Sequence, residues 1–157
     1  MKQIVGALLM FSLVLGGSPS GKNITYKIDG EKYEGYYISP SPDAPLVLIV
    51  HDWDGLTDYE VKRAGMLADL GYAVFAADLY GAGIRPTEFK DKHARANELY
   101  QDRGKMRTRL RGALKAAKKQ KANVDKAVAI GYCFGGAAIL EYARAGATLK
   151  GFVAFHG

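Results

Sequence analysis

The sequence predicts a three-layer α/β fold, a mostly parallel sheet between helices, entered through a leading antiparallel hairpin. Three observations carry this. Continuous apolar runs at Leu46–Val50, Tyr72–Ala77, Ala127–Ile130 and Gly151–Phe155 have the composition of strands buried on both faces. Helical periodicity fills the intervals between them, which makes the repeating unit βαβ. Ahead of these, two runs rich in tyrosine and isoleucine, Asn23–Ile28 and Lys32–Ile38, meet at Asp29-Gly30, a hairpin signal.

At 157 residues one domain with a real core is expected. A hydrophobic content of 48% with 24% charged residues excludes a disordered chain. The formal charge of +6 is concentrated in Arg103 to Lys126. Met106, Leu110, Ala113, Leu114 and Ala117 fall on one side of that segment, so the charges read as a solvated helix face, and nucleic acid is not an expected partner. A single cysteine forms no internal disulfide.

Residues 1–20 read as a secretory signal. Lys2 is the positive start, Ile4 to Leu15 is apolar, and Gly16 to Ser20 supplies small residues, with cleavage expected after Ser20. The apolar run is short for a membrane span and no cysteine follows it. A secreted or periplasmic protein without a stable anchor is therefore expected, with the domain occupying residues 21–157. A lone thiol in an oxidising compartment reads as reactive rather than structural.

After the hairpin, Ser39 to Pro45 carries three prolines and reads as a loop within the domain. His51 to Leu56 is the loop after the first buried strand. Thr57-Asp58-Tyr59-Glu60 has capping-box spacing, Val61, Ala64, Leu67 and Ala68 continue at helical period, and Gly71 suits the helix end. Tyr80 to Pro86 is loop. Thr87 to Gln120 is helical, with a break near Asp102 to Gly104.

The third buried strand runs into Gly131-Tyr132-Cys133-Phe134-Gly135-Gly136, and an alanine-rich helical pattern begins at Phe134. Strand, abrupt turn and helix with a reactive residue at the apex is the layout of a nucleophile elbow, here G-x-C-x-G. Glycines two before and two after relieve crowding, and the helix N-terminus is expected to favour the thiolate. The competing reading is a buried cysteine beside a helix-packing glycine cluster. Ligands of such sheets bind beyond the carboxyl ends of the strands. His51-Asp52-Trp53, Asp78-Leu79-Tyr80, Cys133 and His156 all fall there.

At these residues the sequence resembles the dienelactone hydrolase family of α/β hydrolases. The likeness rests on LVLIVHDWDGLTDY, GYAVFAADLYG, AVAIGYCFGG and LKGFVAFHG, and covers most of the chain after residue 23. It implies an α/β-hydrolase fold in which Cys133 attacks an ester or lactone carbonyl and water hydrolyses the acyl-thioester. Asp52 stands where the family usually has a glutamate that contacts the resting thiol. The backbone N–H groups of Phe134 and Trp53 are the expected oxyanion donors, which the elbow layout also gives. His51, His156, Tyr80 and Arg85 are candidate supporting residues. Arg85 is the nearest cation for a substrate carboxylate, because Ala82 stands where the family's lactonase has arginine.

The family's order is nucleophile, acid, histidine. Residues after Cys133 include Glu141 and His156 but no aspartate. The fold is thus expected to be cut short after the strand following the nucleophile helix, with poor turnover by these residues alone. Glu141, mid-helix, is expected to point away from the thiol, and His93 to lie on the surface. No organic cofactor is expected, because neither Gly81-Ala82-Gly83 nor Gly131 to Gly136 has phosphate-cradling spacing. No metal is expected either: His51, Asp52 and His156 could meet, but their spacing does not ask for an ion. The expected partner is a small ester or lactone. Two other readings stay open: an inactive module self-associating through an exposed sheet edge, and a redox-reactive thiol protein.

Overall fold

The computed structural model describes residues 19–157. The secretory signal read over 1–20 therefore lies outside the described residues, apart from Pro19 and Ser20. Six strands, β1 (Lys22–Ile28), β2 (Glu31–Ile38), β3 (Pro45–Val50), β4 (Ala73–Ala77), β5 (Asn123–Tyr132) and β6 (Gly151–Phe155), form one sheet in the order β1-β2-β4-β3-β5-β6. Four helices join them: α1 (Asp58–Asp69), α2 (Phe89–Gln101), α3 (Arg103–Lys119) and α4 (Phe134–Arg144). β3 to β6 run parallel, while β1 and β2 are antiparallel to their neighbours.

The leading hairpin turns at Asp29 and Gly30, with φ of 50° and 85°, the positive pair that a two-residue turn of this hand requires. Period-two alternation then sorts β3 between the layers. Leu46, Leu48 and Val50 pack with Leu99, Leu110, Ala113 and Ile139 of α2, α3 and α4. Val47 and Ile49 pack with Ala64 and Ala68 of α1. A strand apolar at every position is what two helical layers demand.

α1 opens on the expected capping box: Thr57 accepts from the Tyr59 N–H, and the Glu60 carboxylate accepts from the Thr57 N–H at 2.8 Å. It closes at Gly71, φ 96°, where the Gly71 N–H reaches the Ala68 carbonyl and the Tyr72 N–H the Leu67 carbonyl. Asp102 breaks the long helical segment and caps α3 by accepting from the Lys105 N–H at 2.8 Å.

β5 is longer than the run Ala127–Ile130 suggested. It starts at Asn123, shifts register opposite Pro45 and Leu46, and continues through Gly131 and Tyr132, whose hydrogen bonding to β3 and β6 outweighs the turn propensity of the glycine. The charged run on α3 is not purely solvated either. Arg109 is buried and donates to the Leu79 carbonyl at 2.6 Å, while Arg103 and Arg107 pair with Glu141, which accordingly faces α3. Among the described residues no helix is long and apolar enough to cross a membrane. The loops after β3, β4, β5 and β6 gather at the carboxyl edge of the sheet.

Candidate active site

β5 delivers Cys133 directly to the start of α4, and the turn between them holds Cys133 at φ 47° and ψ −109°. A non-glycine residue there costs on the order of 1–3 kcal/mol and persists only where the surroundings over-determine it. Two close approaches do so. A Cβ on Gly131 would lie 2.2 Å from the Gly135 carbonyl oxygen, and a Cβ on Gly135 would lie 2.3 Å from that of Val50. The Cys133 N–H donates to the Phe155 carbonyl at 2.9 Å, tying the elbow to the end of β6. The thiol is free and part-exposed, so the reading of a buried structural cysteine is set aside.

Asp52 stands beside the thiol, with a carboxylate oxygen, Cys133 Sγ and a His156 ring nitrogen all within 4.8 Å of one another. The same carboxylate accepts from the Trp53 N–H at 2.5 Å, so one expected oxyanion donor is engaged by Asp52 in this state. The thiol pKa is raised, first by burial and then by the hydrogen bond and charge of Asp52, while the Phe134 N–H acts in the opposite direction. This corrects the expectation that the helix N-terminus favours thiolate: desolvation and one close carboxylate outweigh a fractional dipole charge. Asp52→Asn is therefore expected to bring the thiol pKa down. Its iodoacetamide alkylation profile would move to lower pH, with faster reaction at neutral pH than the parent protein.

His51 is wholly buried and does not reach into the cleft. Its Nε2 accepts from the Leu79 N–H at 3.1 Å, so Nδ1 carries the proton and donates to the Asp52 carbonyl. The ring stacks on Phe134 at 5.7 Å and meets Tyr80 edge-on at 4.7 Å. Burial lowers its pKa and keeps it neutral. The unfolded chain binds a proton here below about pH 6.5, so His51 adds stability at neutral pH that is lost progressively as pH falls from that value through the lowered folded one. Replacing His51 by leucine leaves the Leu79 N–H without its acceptor and should cost about 1–3 kcal/mol in urea unfolding, with a shallower acid slope.

Tyr80 is buried and donates its hydroxyl to the Trp53 carbonyl at 3.1 Å, bracing the loop that carries Asp52 and Trp53. Arg85 departs from the expected substrate contact. Its guanidinium donates to the carbonyls of Ile84 (2.8 Å), Gly81 and Glu34, stands 3.6 Å from Asp78, and lines neither cavity at the thiol. Backbone carbonyls left open by the loop after β4 claim it first.

One wall was not anticipated. A cavity of about 110 Å³ at Cys133 is lined by Trp53, Phe134 and, from α2, His93, Ala96, Asn97 and Tyr100. His93 is exposed as expected, but it faces this cavity. The signal was present as His93, Asn97 and Tyr100 at helical spacing i, i+4, i+7, yet nothing in the sequence says which face of α2 meets the elbow. On the other side of Asp52 a cavity of about 310 Å³ is bounded by Asp54, Tyr59, Tyr132 and His156. A larger hollow of about 550 Å³ lies at the opposite end of the sheet, against Arg111, Lys115 and Val124, and holds none of the thiol chemistry.

A mixed sheet in this order, with a strained residue between strand and helix and backbone donors converging on it, defines an α/β hydrolase. The sequence model of the dienelactone hydrolase family matches residues 33–157, and the chain belongs to that family. Among solved structures it is similar to m3DLH, at 35% identity and a TM-score of 0.84, covering 89% of this chain and 60% of that one. It is likewise similar to a dienelactone hydrolase-like promiscuous phosphotriesterase, P91, from metagenomic libraries, at 34% identity and a TM-score of 0.83, covering 90% and 60%. A curated protein of Aquifex aeolicus whose name points to a carboxymethylenebutenolidase is 28% identical over 128 residues, 78% of this chain and 55% of that protein. The chain thus spans little more than half the length of the relatives it matches.

Proposed function

We propose that this protein hydrolyses small carboxylic esters or lactones through Cys133. The observation that supports it most is the positive φ of Cys133 held between two glycines that admit no side chain. In this reading the substrate carbonyl enters the cavity beside Trp53 and displaces the Asp52 carboxylate from the Trp53 N–H. The freed carboxylate takes the thiol proton, and the sulfur adds to the carbonyl carbon. The developing oxyanion accepts from the Phe134 and Trp53 N–H groups, each such donor worth about 3 kcal/mol. Collapse expels the alkoxide oxygen, which takes the proton back from Asp52, and water then cleaves the thioester to the carboxylic acid and the free thiol.

Cys133, Asp52 and the two backbone donors together serve the acylation half of the reaction, so acylation is the step assigned to them. The leader read at residues 1–20 supports a secreted or periplasmic location. Treatment with excess p-nitrophenyl acetate, followed by peptide mass mapping, tests the reading. An acetyl increment on the Cys133 peptide is expected, and an unmodified Cys133 would overturn it.

A further inference from the structure

We propose that Cys133, Asp52 and His156 form a binding site for a thiophilic divalent cation of the zinc class. This goes beyond the hydrolase reading and does not depend on it. Residue spacing does not ask for such a site, because the three residues follow three different strands. The geometry brings together one sulfur, one oxygen and one imidazole nitrogen, all within 4.8 Å of one another. Around a tetrahedral zinc with bonds of 2.0–2.3 Å, such atoms lie roughly 3.4–3.7 Å apart, so closure needs about 1 Å of side-chain movement. His51 is excluded from the set: both its nitrogens are committed to the backbone.

The site is built rather than accidental. The Cys133 N–H to Phe155 carbonyl bond fixes the elbow against the residue before His156. The next residue is pinned as well, since a Cβ on Gly157 would lie 2.7 Å from the Gly136 carbonyl carbon. The Trp53 N–H orients the Asp52 carboxylate from outside, the kind of supporting hydrogen bond that metal ligands use. Access is open, with His156 exposed and the other two part-exposed. The set of one thiolate, one imidazole and one carboxylate leaves the fourth position to water.

Binding forms a sulfur–metal bond and releases the thiol proton to solvent, and the ion keeps its charge state throughout. The consequence is a reversible block: the cation withdraws charge from the sulfur and occupies the Asp52 carboxylate that would take its proton, and a chelator restores both. A zinc titration of the reduced chain against a chromophoric chelator tests the site. One ion per chain is expected, with Co²⁺ in its place giving a thiolate charge-transfer band. His156→Ala and Cys133→Ser should each weaken binding by at least the roughly 10–100-fold that loss of even a supporting partner costs. His93→Ala should leave it unchanged. Binding that survives both His156→Ala and Cys133→Ser, or a cobalt spectrum without the thiolate band, overturns the proposal. A chain that binds zinc at these residues yet, once stripped of metal by the chelator, is not acylated at Cys133 would remove the hydrolase reading and leave the metal site standing.

Discussion

Replacing Cys133 by alanine is expected to abolish ester-dependent acylation and any release of p-nitrophenolate above solvent background. Loss of a nucleophile from an assembled site typically costs on the order of 10⁴–10⁶ in rate. Serine at the same position should lose nearly as much. It keeps the elbow, but its hydroxyl is a far weaker acid than a thiol, and the Asp52 carboxylate that already raises the Cys133 pKa would oppose an alkoxide still more. Asp52→Asn separates the two functions of the carboxylate. It leaves the sulfur in place and lowers its pKa, so alkylation quickens while acylation slows for want of an acceptor for the proton. A Cys133→Ala protein that still releases p-nitrophenolate at the parent rate would place the chemistry elsewhere.

Gly135→Val is expected to be the most damaging single change to the fold. Its first side-chain carbon would sit 2.3 Å from the Val50 carbonyl oxygen and 2.5 Å from that of His51, both backbone atoms with no room to yield. α4 would have to lift off β3, carrying the Phe134 N–H away from the sulfur. A loss of about 3 kcal/mol or more in urea unfolding follows from overpacking of this severity. Gly65→Ala is the matched control, because it lies mid-helix in α1 with nothing within 4 Å of its would-be Cβ. That change should stabilise by about 0.5–1 kcal/mol, since alanine loses less backbone entropy on folding. Equal destabilisation by both would mean that the crowding at Gly135 is not what holds the elbow.

The resting site is a compromise between these two demands. The elbow keeps Cys133 strained and accessible, while burial and then Asp52 raise its thiol pKa, and Asp52 covers one of the two backbone donors. A thiol held in that state is shielded from casual oxidation, because the thiolate is the oxidisable form. The same arrangement explains why His51 matters without touching the cleft. Its hydrogen bonds join the loops after β3 and β4, so the Asp52 backbone is anchored beside the thiol.

By itself the sequence determined the architecture, the turn at Asp29-Gly30, the capping box at Thr57 and the identity of the elbow. Each is encoded locally, in the period of apolar residues or in turn chemistry within six positions. Only the tertiary structure decided the protonation of Cys133, the assignment of Arg85 to backbone carbonyls, the placement of His93 and Tyr100 against the thiol, and the meeting of Asp52 with His156. Those depend on desolvation and on distances between loops far apart in the chain, and neither leaves a pattern in residue spacing. β5 shows the boundary between the two: its glycine signals a turn locally, but pairing with β6, and with β3 as far as Gly131, carries the strand two residues further.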